Sequence, residues 1–562
     1  MFQKLWKLIL KNKFFLLGLL LTLAITWPLF RSGYFTHHDD VQVIRLHQMN
    51  KCIEDFQIPC RWVPDLGGVY GYPLFNYYGP LPYYFGEIFY LLLGNLIISA
   101  KIMFGFAFLG SYVFMYLLGK KLWGTQLSGA ISGIFYSYAP YHAVDFFVRG
   151  AMGEMWALMF VPAIFWATLE YFENKKTKYW SLIALFTAFL IASHNLSLMM
   201  FLPFILAFGV VIAIRFQTFT SFKFFTLAII FGFCLSAFYV IPAYFEKNLV
   251  HVDTTTMGYF SYTEHFKGLR KLLVERIWGW GASVREIPGG EKDGMSFQIG
   301  WGHLTAFMVT LVGLGVNFKK LLFKKYFWEV AFFTFALGVG VFMIHPSSVK
   351  IWNLIPPLKF IQFSWRFLML VIFAISILSG SIIVWFKKEW LKGFVAAVFI
   401  LGIVGLNFSY FKPEKFLTIT QEEYLTGKEW DKQIKRSIFD YLPIYAKAPP
   451  AELADFKYRI ENGQGKILDF KKGSDWFSFV SESDQEMTIT LAQYYFPNWE
   501  IMVDDQKTEI DYQNDLGLMT IKVGAGYHSV MGKLNDTPLR TISNYLSVLS
   551  FVVFICLLKK KK

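Results

Sequence analysis

Residues 4–40 read KLWKLILKNKFFLLGLLLTLAITWPLFRSGYFTHHDD, and this stretch decides how the chain is built. Lys4, Lys7, Lys11 and Lys13 precede about 17 apolar or weakly polar residues over 14–30, enough to cross a hydrocarbon core about 30 Å thick. The basic flank predicts an amino terminus on the inner side. A cleavable leader is the rival reading. The length of the run, the lack of a small-residue cleavage site in Trp27-Pro28-Leu29-Phe30 and the further apolar runs downstream argue for a retained anchor. Just beyond the run stand His37-His38-Asp39-Asp40, ionisable groups placed where the chain leaves the membrane.

The rest of the 562 residues repeats this logic. Hydrophobic residues make up 55%, charged residues 17%, and the mean hydropathy is +0.41, too apolar for several soluble domains. Further apolar runs lie near 97–118, 124–139, 154–172, 179–193, 196–214, 224–243, 300–316, 327–344, 366–386, 393–409 and 541–558, predicting about twelve spans. With sides alternating, the inner segments carry 22 Lys and Arg against Glu173 and Glu389 alone, the positive-inside pattern. The net charge of +14 is therefore a topology signal and excludes a nucleic-acid footprint. The expected protein is a multi-pass plasma-membrane protein with both termini cytoplasmic.

Predicted organisation is a transmembrane domain over 1–409 with outer loops at 31–96 and 244–299, an extracytoplasmic β-rich domain over 410–540, and a last helix with a Lys tail over 541–562. The 410–540 block has 16 basic and 21 acidic residues, with strand-like alternation at 487–491, 499–503 and 518–523. Residues 81–93 are apolar but short, and are read as an interfacial helix. Of four cysteines, Cys234 and Cys556 fall in spans; Cys52 and Cys60 share the first loop, where a bridge is permitted but not required.

No Asp, Glu, Lys or Arg falls in the middle third of a predicted span, which argues against a proton- or ion-coupled transporter. Ionisable residues gather instead at outer ends: His37 to Asp40, then Asp145, Arg149 and Glu154, then Trp365-Arg366, with His194-Asn195 ending another span. Adjacent carboxylates at a membrane exit can take the proton of an acceptor hydroxyl or share a divalent cation that bridges phosphate oxygens. Arg149 and Arg366 offer bidentate donors to phosphate. Each feature has a plainer reading: Asp39-Asp40 capping a helix that starts near Val41, Arg366 beside Trp365 as an interfacial anchor, His194-Asn195 as a polar span end. Neighbouring histidines point apart, which argues against zinc at His37-His38. The run from Pro59 to Pro80, with aromatics among Pro and Gly, suits a rigid loop on lipid headgroups or a surface for stacking on sugars.

The stretches HHDDVQVIRLHQM (37–49), PCRWVPDLGGVYGYPLFNYYGPLPYY (59–84), APYHAVDFFVRGAMGE (139–154), SHNLS (193–197) and FSWRFL (363–368) together resemble bacterial membrane proteins named 6-pyruvoyl-tetrahydropterin synthase-related. These are similar to GT-C-fold glycosyltransferases. The name is not an activity, since a pterin synthase needs a compact soluble fold with a zinc-binding histidine set. The resemblance implies a catalytic acid in the first outer loop, falling on Asp39 or Asp40, and an acidic residue in the second, falling on Asp145 or Glu154. It also implies a polyprenyl-phosphate-linked sugar donor, an acceptor hydroxyl on a cell-surface glycan, lipid or protein, and in some members a divalent cation, Mg or Mn, for which Asp40 and Asp145 are the available ligands. His38, Asp145, Arg149, His194 and Arg366 would bind substrate, with Asp39, Asp40 and Glu154 catalytic. Tyr494-Tyr495-Phe496-Pro497-Asn498-Trp499 and Gly524 to His528 look like the carboxy-terminal β-sandwich of large GT-C-like proteins. A non-catalytic scaffold or glycan-binding protein of the cell envelope is the alternative.

Overall fold

A computed structural model describes residues 12–287, 289–317, 321–435 and 441–559; Lys4, Lys7 and Lys11 of the basic flank and Lys560, Lys561 and Lys562 of the tail lie outside them. The principal helices are α1 (Lys13–Ile25), α2 (Gln42–Glu54), α3 (Leu81–Leu93), α4 (Leu96–Trp123), α5 (Gln126–Ser137), α6 (Met152–Asn174), α7 (Thr177–Ser193), α8 (Asn195–Phe216), α9 (Phe219–Leu235), α10 (Ala237–Phe245), α11 (Trp301–Val316), α12 (Leu321–Ile344), α13 (Leu368–Ser379), α14 (Glu389–Asn407), α15 (Gln421–Tyr424), α16 (Gly427–Lys435) and α17 (Pro538–Lys559).

Every predicted apolar run is helical, yet among the described residues only seven helices are long and apolar enough to cross a membrane by themselves: α4, α6, α8, α12 from Tyr326, the segment Ser364–Trp385 that contains α13, α14 and α17. The α9–α10 pair, bent by 78°, makes an eighth if counted as one span. The break falls at Ser236, whose hydroxyl donates back to the Gly232 carbonyl at 3.0 Å; within α10, Pro242 cannot donate to the carbonyl of Phe238, which accepts from Arg61 Nη2 at 3.0 Å. The other four runs, α1, α5, α7 and α11, have 12 to 17 residues. At 1.5 Å per residue they reach about 18–26 Å. The expectation of about twelve spans thus counts apolar runs, such as α5, which is buried from Ser128 to Ser137, rather than helix length. Two spans, α6 and Ser364–Trp385, are enclosed by protein along nearly all of their length, whereas α14 and α17 are mostly uncovered.

The strand-rich region follows the predicted alternation. Short strands β1 (Tyr34–Phe35) and β2 (Phe416–Leu417) pair antiparallel and tie the first loop to the segment after α14. Then come β3 (Tyr458–Asn462), β4 (Lys466–Lys472), β5 (Trp476–Ser483), β6 (Met487–Tyr494), β7 (Trp499–Val503), β8 (Gln506–Thr508), β9 (Leu518–Val523) and β10 (Gly526–Leu534). They form antiparallel sheets of order β4-β5-β10-β7-β8 and β3-β6-β9. Residues 410–457 contribute only β2, α15 and α16 among the described elements, so the β-rich character starts at Tyr458.

The aromatic loop after α2 is a core element, not a surface loop on headgroups. Trp62 is fully buried, with its ring 5.9 Å from Phe496 and 5.8 Å from Trp499, and Tyr70 lies 5.1 Å from Tyr494. The aromatic-Pro-Gly pattern reports a rigid apolar face; its partner is the strand region. Cys52 and Cys60 are joined in a disulfide within this loop. Arg61 pairs with Asp536 at 3.3 Å, and Glu246 accepts from Asn76 at 3.0 Å and from Arg540 at 2.8 Å. The first loop, the end of α10 and the start of α17 are thereby locked together.

Candidate functional site

The chain after β1 crosses a bend in the backbone between α5 and α6. There, Val144–Arg149 form a π-helical turn closed by Gly150 at φ +65°. A Cβ on Gly150 would fall 2.2 Å from His37 Nδ1, so only glycine lets the first loop lie this close. The His38 amide donates to the Val148 carbonyl (2.9 Å) and the Asp39 amide to that of Arg149 (2.8 Å). Gln42 at the start of α2 donates to the Gly150 carbonyl at 2.8 Å. These three contacts fix the predicted acids against the second loop without using their carboxylates.

The two aspartates then diverge. Asp40 turns inward, 5% exposed, and accepts from the Tyr424 hydroxyl of α15 at 2.8 Å. Asp39 is exposed, and its carboxylate makes no hydrogen bond or ion pair with any described residue. Helix α2 begins at Gln42 with Val41 in the capping position, whose side chain cannot cap. His38 is exposed beside Asp39, its Nε2 2.8 Å from the Trp280 carbonyl.

On the other side of the π-turn lies a closed ion cluster. Glu154, in the first turn of α6, takes both Arg149 Nη atoms in a fork at 2.7 Å each, and Arg366 Nε at 2.8 Å. Tyr141 donates to the same carboxylate at 3.2 Å. Arg149 also reaches Asp145 at 2.5 Å, and its guanidinium lies 4.7 Å from the Trp365 ring centre. Arg366 further donates to the Ile361 carbonyl (2.7 Å) and Gln362 (2.8 Å). All four charged residues are buried. Arg366 beside Trp365 is therefore not an interfacial anchor. It joins the starts of the two most enclosed spans through Glu154, and a buried charge held this way is paid back only while its partners remain.

Burial, reinforced by Glu154, pushes Asp145 well above the carboxylate range. Its Oδ2 has no hydrogen-bond partner. Two guanidinium groups and two carboxyl groups thus share one buried site, joined to the Asp39 segment through the Arg149 carbonyl. His194 caps α8, with Nδ1 2.7 Å from Ser197 Oγ, and lies against Gly153. Burial lowers its imidazole to about 4, so it is neutral at pH 7. Of the two acids available to a cation, Asp40 accepts from the Tyr424 hydroxyl and Asp145 from Arg149. Among the described residues no three His, Cys, Asp or Glu side chains gather to hold an ion.

Residues 75–412 match the 6-pyruvoyl-tetrahydropterin synthase related domain, a membrane-protein family, over more than half of the chain. The chain belongs to this family. The matched segment of this 6-pyruvoyl-tetrahydropterin synthase related protein holds Asp145, Arg149, Glu154, His194 and Arg366, while Asp39 and Asp40 precede it. A protein of Lactococcus lactis subsp. cremoris (strain MG1363), itself uncharacterized, is 21% identical over 208 residues, covering 36% of this chain and 34% of the relative. Among solved structures, arabinofuranosyltransferase AftD from Mycobacteria is 11% identical with a TM-score of 0.48, covering 73% of this chain and 28% of that one. The Archaeoglobus fulgidus oligosaccharyltransferase is 12% identical with a TM-score of 0.42, covering 77% and 58%. The chain thus spans only about a third of the Lactococcus relative and of AftD.

Sequence reading missed Tyr424 and Tyr141 in this family member. Tyr424 lies 384 positions from Asp40, so nothing local marks it as a partner of that acid. Tyr141 was quoted within APYHAVDFFVRGAMGE, but its hydroxyl becomes relevant only once the π-turn folds it over Glu154.

Proposed function

We propose that the protein is an integral plasma-membrane glycosyltransferase of GT-C type, working on the outer face, that moves a sugar from a polyprenyl-phosphate donor to a hydroxyl of a cell-surface glycan, lipid or protein. The observation that carries this reading is the state of Asp39: a carboxylate fixed through its own backbone, exposed, and free of any described partner, beside a buried ion cluster with two arginines. A general base needs an accessible, unpaired carboxylate. Asp40, already bound to Tyr424, instead sets the backbone from which Asp39 projects.

In the reaction, Asp39 takes the acceptor O–H proton as that oxygen bonds to the anomeric carbon with inversion. The bond from that carbon to the phosphate oxygen breaks, and the lipid phosphate leaves with the electron pair. The guanidinium groups of Arg149 and Arg366, held in place by Glu154, would favour the departing anion through their field. Because Glu154 occupies both guanidinium groups, it acts as a positioning residue rather than as a second acid. His194, neutral and against Gly153, completes the wall.

The strand-rich region, with its two antiparallel sheets, would hold the acceptor. A cleft of about 440 Å³ between α2 and this region is lined by Lys51, Asp55, Asp65, Phe470 and Trp476, a mixture of aromatic faces and polar groups suited to a glycan. The Cys52–Cys60 bridge supports an oxidising, outer location for the first loop. The test is transfer of radiolabelled sugar from a panel of polyprenyl-phosphate sugars by purified protein in lipid. Wild type is compared with Asp39→Asn and Asp40→Asn, with and without Mg²⁺ or Mn²⁺. Turnover lost in Asp39→Asn and kept in part in Asp40→Asn is expected. Absence of turnover with every donor, together with glycan binding, moves the reading to an envelope scaffold.

A further inference from the structure

With Arg149 and Arg366 committed to Glu154, a lipid phosphate needs other cations to hold it. Two basic groups stand apart from every carboxylate described. Lys101, in the second turn of α4, is 7% exposed, and its ammonium meets only the carbonyl of Arg31, at 2.6 Å. Arg31, at the exit of the first span, makes no ion pair among the described residues; its guanidinium lies 4.3 Å from the Phe416 ring centre. A lysine buried this far in an apolar helix is costly without an anion, and one carbonyl satisfies one of its three donors.

Both groups stand at the head of a groove of about 860 Å³ between α1 and α4. Its walls are apolar, with Leu23, Leu29, Ile98, Ile102, Phe106 and Leu109. Gly105 keeps it open, since a Cβ there would already come within 3.3 Å of Leu29 Cδ1. The head also holds Ser32, Thr420 and Gln421. Gln421 opens α15, one helical turn before Tyr424, whose hydroxyl reaches Asp40. The head of the groove is thereby joined to Asp40 through α15.

We propose that this groove binds a lipid phosphate, the acyl or isoprenoid chain lying along the apolar walls and the phosphate on Lys101 and Arg31. Charge complementarity selects the occupant: an apolar wall alone would take any lipid, while two cations without counter-ions select an anionic head. If the lipid is the sugar donor, the inference rests on the transferase reading; as a binding site it stands without it.

The test measures binding of a long-chain polyprenyl phosphate to the full chain in detergent by native mass spectrometry, against the same polyprenol without phosphate and against inorganic phosphate. The phosphate lipid is expected to bind at least about tenfold more tightly than the alcohol. Lys101→Met should remove most of that preference, Arg31→Gln part of it, and Lys101→Arg little. Thermal midpoints identify any variant that fails to fold, and Arg31→Gln, at an exposed position, keeps the test decisive if Lys101→Met does. Equal affinity for alcohol and phosphate overturns the proposal. So does a preference that survives both variants, or inorganic phosphate competing as well as the lipid. Preference in wild type without sugar transfer would sink the transferase reading alone; transfer without preference would sink the groove alone.

Discussion

Arg149 faces two regions at once. Its side chain closes the cluster with Asp145, Glu154 and Arg366, where nearly every donor has an acceptor and solvent is excluded. Its carbonyl, on the opposite side of the π-turn, holds the Asp39 amide at an open rim where the carboxylate has no partner. Both regions are dense in charge, and they are built for different tasks. In the closed cluster the charges are consumed in holding two enclosed spans together, since removing one partner strands the others in a low dielectric. At the rim, the backbone does the holding and leaves the acid available. The lesson is that chemistry sits where charge is positioned without being satisfied.

The largest effect that sharpens this contrast is on rate. Asp39→Asn is expected to lower sugar transfer by about 10²- to 10⁴-fold, the usual contribution of a general base, with the melting midpoint nearly unchanged. A loss of folding instead would place Asp39 with the closed cluster. Glu154→Ala should do the reverse, costing about 3–5 kcal/mol of stability by leaving the buried Arg366 without a carboxylate and Arg149 with Asp145 alone. Thermal unfolding in lipid reads it, and a tolerant midpoint would mean that the cluster is solvated.

Acid should weaken the closed regions next. Burial lowers His194 and His265 to about 4 from an ordinary value near 6.5. Their contribution is fully present above pH 6.5, where both states are neutral, and is lost as pH falls from 6.5 towards 4, because only the unfolded chain takes the proton readily. Asp145, pushed upward, works in the opposite sense, so Asp145→Asn should steepen the acid loss. A midpoint flat between pH 7 and pH 4 in both proteins breaks this account. The smallest effect is at the corner itself. Tyr424→Phe removes one hydrogen bond to Asp40 and should cost about 1 kcal/mol, with a several-fold fall in transfer if Asp40 orients Asp39; an unchanged rate would leave Asp40 a purely structural group.

Hydrophobic runs and turn residues are local properties, and what depends on them could be read directly from residues 1–562. All twelve runs are helices, β7 and β9 have the predicted bounds, and the membrane nature of the chain follows from composition. The acids and arginines of HHDD, VDFFVRGAMGE and FSWRFL were legible as clusters because like residues stand together in the chain. Pairing across the fold was not. Whether Arg366 meets lipid phosphate or Glu154, 212 positions away, depends on how α6 packs on the Ser364–Trp385 span. Whether the aromatics after Pro59 face lipid or protein depends on the strand region closing over them. The sequence by itself determined which segments must leave water and which side chains carry charge. Only the tertiary structure decided which charges neutralise one another, because that is set by distances between segments far apart in the chain, and so it alone separates Asp40, turned in on Tyr424, from Asp39, turned out.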